Sequence, residues 1–296
     1  MKLLIILLII IAGNYNDPVS ISKLETQTVS NPDDIQPRLE LADIFLSQEN
    51  FKEAKKYLLQ TQKIMETFDV DSCNAKYFYL WGLYYDLYGN IPSAQRYYSK
   101  TVECDSNYYD AWRNQGYIYE IFGNYDKMLY CFRRALKTTI DSAGTYYDMG
   151  VTCDYLDSLQ LAIKYYNAAF DYGEVYPQAY MNIGIDWGML GYDDSASYYF
   201  NKAVEAGLRS PELFYNIGII MFESGASDEA MDNFMKTLSV DPDYSPAKLQ
   251  IGNVYELYGD SGMAKVYFEE FVKTAPLIYR DDINRVKEKL LQYNKK

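Results

Sequence analysis

Six glycines stand in one register: Gly82, Gly116, Gly150, Gly184, Gly218 and Gly252 follow each other at intervals of 34 residues without a slip. Three more columns keep the same phase. Twelve residues after each glycine come Ala94, Met128, Ala162, Ala196, Ala230 and Ala264. Sixteen after come Tyr98, Phe132, Tyr166, Phe200, Phe234 and Phe268, and four before come Phe78, Trp112, Tyr146, Tyr180, Phe214 and Lys248. A fixed period of this length means one supersecondary unit stacked on copies of itself, because a lone unit cannot bury its own apolar face.

Offsets of −4, 0 and +3 share one helical face, as in Tyr180, Gly184 and Trp187. Glycine inside a helix costs about 1 kcal/mol against alanine. The expected compensation is the close approach of a second helix, with its Ala opposite the Gly and its aromatic one turn further on. Between the two helices stand Gly89, Gly123, Gly191, Gly225 and Gly259, the residue type that ends a helix in a left-handed cap. Pro242 and Pro276 end the second helix in two copies.

This pattern resembles the tetratricopeptide repeat, a 34-residue helix-turn-helix family. In the copy that starts at Tyr109, the residues Trp112, Gly116, Tyr119, Met128, Phe132 and Ala135 occupy the family's signature places, with Met128 off-type. A weaker first copy starts near Ile35 and carries Ala42, Phe45, Ala54 and Leu58. Ala42 and Gly82 are 40 residues apart, so an excess of six lies near Met65–Ser72. The resemblance implies an all-α fold, a right-handed α-α superhelix of seven helical hairpins. The repeats are expected near 35–74, 75–108, 109–142, 143–176, 177–210, 211–244 and 245–278. Lys248 replaces the usual aromatic in the last copy, and Cys153 does so in the fourth. Residues 279–296 read as a capping helix for the open end: Ile283, Val286, Leu290 and Tyr293 form one apolar stripe.

The N-terminus has a different character. Lys2 precedes an apolar run from Leu3 to Ile11 and then the small pair Ala12 and Gly13, the order of an export signal. The run is about half the length a membrane span needs. A lipoprotein box would require Cys where Asn14 stands, so no stable membrane anchor is expected after cleavage. Residues 14–34 are polar and lack an apolar period, which suits a flexible leader. The expected location is outside the cytoplasm: periplasmic or secreted, if the chain is bacterial.

Composition narrows the chemistry. The chain has 33 Tyr and no His, which removes Ser-His and Cys-His pairs, His-ligated zinc and imidazole shuttles. Paired acids such as Asp193-Asp194 and Asp281-Asp282 fall at turns or helix starts, where capping explains them. No enzyme activity, cofactor or metal is expected. A net charge of −13 disfavours nucleic acid and anionic lipid.

In this family the first helix of each hairpin lines the concave groove. The resemblance places groove residues near positions 2, 5, 6, 9, 12 and 13 of each unit. Those positions hold Tyr79, Asp86, Arg113, Asn114, Tyr117, Glu120, Tyr147, Asp148, Asp154, Asn182, Tyr215 and Asn216. Ten acids occupy the set, from Glu40 and Asp43 to Glu256, against the two cations Lys76 and Arg113. Amides would bond a peptide backbone, tyrosines would give contact area, and acids would select Lys or Arg. The expected partner is a protein or peptide segment of basic character, held by an interaction scaffold. The amides at the sixth place could equally stitch neighbouring helices together. A carbohydrate-binding module using the same tyrosines is the alternative reading. The family's grip on acidic C-terminal tails is not expected, because Arg113 is followed by Tyr117 and then Asp148.

Four cysteines lack any C-x-x-C spacing, which argues against zinc or a redox motif. Cys73 precedes one helix and Cys104 closes its antiparallel partner, so a bridge between them is feasible; the alternative is four free thiols packed as small hydrophobes.

Overall fold

The computed structural model describes residues 18–68, 73–138, 142–173 and 176–293. The export-like run over residues 1–13 lies outside that range, as does part of the six-residue excess. Among the described residues there are sixteen α-helices and no strand. No described helix is long and apolar enough to cross a membrane.

The chain divides into two compact units, 1–156 and 157–296. In the first unit α1 (Pro18–Ser30) leads into three hairpins: α2 (Gln36–Ser47) with α3 (Phe51–Phe68), α4 (Ala75–Leu87) with α5 (Ile91–Cys104), and α6 (Tyr109–Ile121) with α7 (Tyr125–Ala135). The last helix of this unit, α8 (Ser142–Tyr155), packs on α7. The second unit opens with α9 (Leu159–Phe170), packed on α10 (Pro177–Met189). Its hairpins are α10 with α11 (Asp193–Glu205), α12 (Pro211–Glu223) with α13 (Ser227–Val240), and α14 (Ser245–Leu257) with α15 (Ser261–Thr274), followed by α16 (Arg280–Tyr293).

The columns found in the sequence meet in three dimensions, though not as the spacing suggested. A Cβ added to Gly82 would lie 2.5 Å from the Tyr98 ring, and one on Gly116 would lie 2.6 Å from the Phe132 ring. The same holds for Gly184 with Phe200, Gly218 with Phe234 and Gly252 with Phe268. It is therefore the aromatic that lies over the glycine, not the alanine. Side chains on a helix lean toward its N-terminus, so a long ring reaches back a turn to the place its neighbour's Cβ would fill. Ala94, Ala162, Ala196, Ala230 and Ala264 are fully buried beside it.

Six hairpin turns close with the same backbone bond. The residue after the turn donates to the carbonyl five positions earlier: Asn90 to Tyr85 at 2.7 Å, Asn124 to Tyr119 at 2.9 Å, Tyr192 to Trp187 at 2.9 Å and Asp260 to Tyr255 at 2.9 Å. A left-handed residue precedes each, as Gly89 with φ 82° shows. The first hairpin makes the same bond, Asn50 to Phe45 at 2.8 Å, but its left-handed residue is Glu49 with φ 54°. Asp157, with φ 51°, takes the glycine's register place in the fourth copy. Asn50, Asn90 and Asn124 then cap the following helix, each accepting from the backbone N–H three residues on.

One expectation needs correction. Much of the polar stretch 14–34 is helix α1 rather than a flexible leader. Leu24 is buried, Arg38 Nη2 donates to the Thr28 carbonyl at 3.1 Å, and the Tyr57 hydroxyl donates to Glu25 at 3.1 Å. Leu24, the partly buried Ile21 and two long polar ties dock this helix, too short an apolar stripe to announce itself as a period.

At the other end α16 buries Ile283 and Val286 against Phe268 and Phe271, with Leu290 and Tyr293 packed alongside. Lys248, at an aromatic place, is also buried, and its ammonium reaches Thr274 Oγ1 at 3.5 Å. Its alkyl stem fills apolar space while the charged tip finds oxygen.

Candidate functional site

The first helices of the hairpins carry the residues singled out above. In the first unit α4, α6 and α8 present Tyr79, Asp86, Arg113, Asn114, Tyr117, Glu120, Tyr147, Asp148 and Asp154. Several of these side chains are bonded within the protein, Arg113, Tyr117 and Asp148 to one another and Asp86, Asn114 and Glu120 to phenols outside the row. The Asn114 amide donates to the Tyr98 hydroxyl at 3.1 Å, and that hydroxyl donates to Asp86 Oδ2 at 3.1 Å. Burial pushes the Asp86 carboxyl above its usual range, against the lowering effect of the Tyr98 hydrogen bond.

Arg113 anchors a second group. Its Nη2 donates to Asp148 Oδ2 at 2.7 Å and to the Tyr117 hydroxyl at 2.6 Å, while that hydroxyl donates to Asp148 at 2.6 Å. The guanidinium also lies over the rings of Tyr109 and Tyr117, 5.6 and 5.5 Å from their centroids. Burial disfavours the charged guanidinium, but Tyr117 and Asp148 more than offset it and hold the cation. Burial, reinforced by Asp148, pushes the Tyr117 phenol well above its ordinary value. Such a closed triad orders two hairpins and leaves little of Arg113 for a ligand.

Tyr79 is buried and packs its ring on Tyr108 at 4.9 Å and Tyr98 at 5.9 Å. Burial first, then the nearby Asp110 carboxylate, raises its phenol well above the usual value. Tyr147 is pushed up to about 12 by burial with help from Asp148. Glu120 accepts from the Tyr155 hydroxyl at 3.4 Å. Lys76 pairs with Asp43 at 3.4 Å. Among the described residues no Lys or Arg forms an ion pair with Asp86, Asp110 or Glu120.

In the second unit Asn182 donates to the Tyr166 hydroxyl at 2.9 Å, the register equivalent of Asn114 and Tyr98. Tyr215 packs on Phe234 at 5.9 Å and Tyr244 at 5.4 Å. Asn216 sits half-buried one residue on. Glu256 is held by α16, accepting from Lys289 at 2.6 Å and Tyr293 at 2.8 Å. Burial opposes this charge, but those two donors lower its carboxyl overall.

Residue-type reasoning missed the buried phenols of Tyr98 and Tyr166, which cross the hairpin to reach the first-helix row. A signal was present. It is weak: sixteen positions after Tyr98 and Tyr166 stand Asn114 and Asn182, but Asn216 follows Phe200 at the same spacing.

Cys73 and Cys104 are joined in a disulfide, with Cα atoms 5.2 Å apart. Cys131 and Cys153 are buried thiols outside that bridge. Burial pushes the Cys131 thiol up to about 12, which leaves it inert near neutral pH.

Solved structures share this arrangement. A TPR repeat-containing protein of Cytophaga hutchinsonii superposes with a TM-score of 0.60 at 18% identity, covering 73% of this chain and 88% of that one. The fold is the tetratricopeptide-repeat solenoid. PilW, described as a widely conserved type IV pilus biogenesis factor, gives a TM-score of 0.60 at 20% identity, over 72% of this solenoid and 97% of PilW. A chain of the APC/C hetero-tetramer Cut9-Hcn1 gives 0.57 at 18% identity over 90% of this chain, which spans about half, 52%, of that longer one. In sequence the solenoid is 34% identical over 62 residues to uncharacterized protein MJ0572 of Methanocaldococcus jannaschii, 21% of this chain and 72% of that protein. The two belong to one family. No family model matches the chain.

Proposed function

We propose that this tetratricopeptide-repeat chain is an exported interaction scaffold whose first-helix row, in the first unit, holds a basic segment of another protein. One observation carries the reading. The two cations of the row, Lys76 and Arg113, are already paired with Asp43 and Asp148, while among the described residues no ion pair includes Asp86, Asp110 or Glu120. Their field is left to attract Lys and Arg from outside. Tyr79, Tyr117 and Tyr215 pack their rings on Tyr98 and Tyr108, on Phe132, and on Phe234 and Tyr244, so acids rather than sugar-stacking rings support the reading. Export is supported by Lys2, the apolar run to Ile11 and the small pair Ala12-Gly13; the proposed location is periplasmic or secreted in a bacterium. The role is recognition, not catalysis.

The test is binding of soluble Lys/Arg-rich and Asp/Glu-rich peptides, followed by fluorescence anisotropy at two salt concentrations. Basic peptides should bind, weaken with salt, and lose at least about tenfold in affinity on D86N/D110N/E120Q, since each lost contact with an ionised group counts for more than a neutral one. Equal binding of the acidic set, or an unaffected triple variant, would end the proposal.

A further inference from the structure

Two tyrosines from neighbouring hairpins of the first unit meet face to face. Tyr125 opens α7 and Tyr155 closes α8, two helices that pack together, and their rings stack 4.5 Å apart at an interplanar angle of 13°. Tyr155 is 48% exposed and Tyr125 is half-buried, so a reagent in solvent can reach the pair. The repeat does not call for tyrosine here. In other copies the same two places hold Ile91 and Ile121, Leu159 and Met189, or Ser227 and Leu257. Contact between the places is thus met without phenols, and the paired phenols of this copy add a chemistry the others lack.

One of the two phenols also has a proton acceptor. The Tyr155 hydroxyl donates to Glu120 Oε1 at 3.4 Å. Burial first, then the Glu120 carboxylate, raises this phenol above its ordinary value, so it keeps its proton at neutral pH. A protonated phenol gives up an electron readily only when its proton can leave as well. A carboxylate hydrogen-bonded to it is a base already in place for that step. The stacked rings supply the second requirement, because reactants held together need no encounter within the short life of a radical.

We propose that Tyr125 and Tyr155 form an oxidative cross-linking site, where hydrogen peroxide activated by a haem peroxidase couples the two rings into dityrosine. Each phenol loses one electron to the oxidant and one proton, from Tyr155 to Glu120 and from Tyr125 to water. The two phenoxyl radicals then form one C–C bond between ring carbons ortho to oxygen. The hydrogen on each of those carbons moves to the phenolic oxygen as aromaticity returns. The peroxide takes up the two electrons and two protons and leaves as two waters. The product ties α7 covalently to α8 and so fixes the spacing of the hairpins whose first helices carry Arg113 and Asp148. None of this depends on what the first-helix row binds.

The experiment treats the purified full chain, dilute enough to suppress contact between copies, with hydrogen peroxide and a haem peroxidase. Dityrosine fluorescence follows the rate, and peptide mapping by mass spectrometry locates the bond. The expected product is an intrachain link between Tyr125 and Tyr155, at least about tenfold more abundant than any other dityrosine. Tyr125→Phe and Tyr155→Phe, each checked for fold by circular dichroism, should lose that link and most of the fluorescence. Glu120→Gln should form the same link at least about tenfold more slowly. Bonds scattered over many tyrosines, bonds between copies, or undiminished fluorescence in Tyr125→Phe would each overturn the site. A Glu120→Gln rate equal to the parent's would overturn the carboxylate's part in it.

Discussion

The side-chain amide of Asn114 donates to the hydroxyl of Tyr98, 3.1 Å away, at the tip of a ring otherwise sealed in the core of its hairpin. That hydroxyl then donates to Asp86. A core residue of one hairpin is thereby wired to the surface rows of two. Tyr98→Phe keeps the ring over Gly82 but strands the amide and removes a donor from a buried carboxylate. The expected cost is about 1–2 kcal/mol. In a double-mutant cycle with Asn114→Leu the two losses should not add, leaving a coupling of at least about 0.5 kcal/mol. Urea denaturation of the four proteins measures it, and strict additivity would mean the bond contributes nothing.

Glycine-to-alanine changes should split by position. Gly116→Ala drives a Cβ to within 2.6 Å of the Phe132 ring, and overpacking of that kind costs about 1–3 kcal/mol, more than the helix propensity gained. Gly188→Ala places its Cβ 3.8 Å from that of Ala196, an ordinary contact, so the propensity gain of up to about 1 kcal/mol survives. Melting temperatures should move in opposite directions.

Glu49 occupies a turn position that glycine takes in five of the repeats. A left-handed conformation costs an L-residue about 1–2 kcal/mol, part of which glycine returns as unfolded-state entropy. Glu49→Gly should therefore stabilise by about 0.5–1 kcal/mol. Asp157→Gly should gain less, because Asp tolerates this region better. A fall in the denaturant midpoint for Glu49→Gly would refute the assignment.

Alkali should unfold the protein through its tyrosines. Burial raises the phenols of Tyr77 and Tyr147 to about 12 and those of Tyr79 and Tyr98 well beyond the ordinary value. The unfolded chain releases these protons near pH 10 while the folded chain still holds them. Stability contributed below pH 10 is thus lost as pH rises through the folded-state values. Exposed phenols ionise without unfolding, but the buried remainder of the phenolate absorbance and the far-ultraviolet dichroism should change together in one cooperative step above pH 10. Phenolate forming fully at pH 10 with the helices intact would contradict the burial described.

The sequence alone carried the repeat: period, paired helices, turn positions, the capping stripe and the small column, because stacking imposes the same steric demand on each copy. It also located the first-helix row, Arg113, Asp148, Tyr117 and Asn114 included. Three things were decided only in three dimensions. Helix α1 docks through Leu24 and Ile21 and through ties to Arg38 and Tyr57, too short an apolar stripe to read as a period. The aromatic rather than the alanine covers five of the register glycines, because side-chain direction, not Cα spacing, sets what meets across two helices. And the amides and acids of the row proved to be bonded largely within the protein, through phenols arriving from the neighbouring helix. A periodic pattern reports the demands that every copy shares. Pairings made once, between long side chains of different hairpins, have no period to betray them.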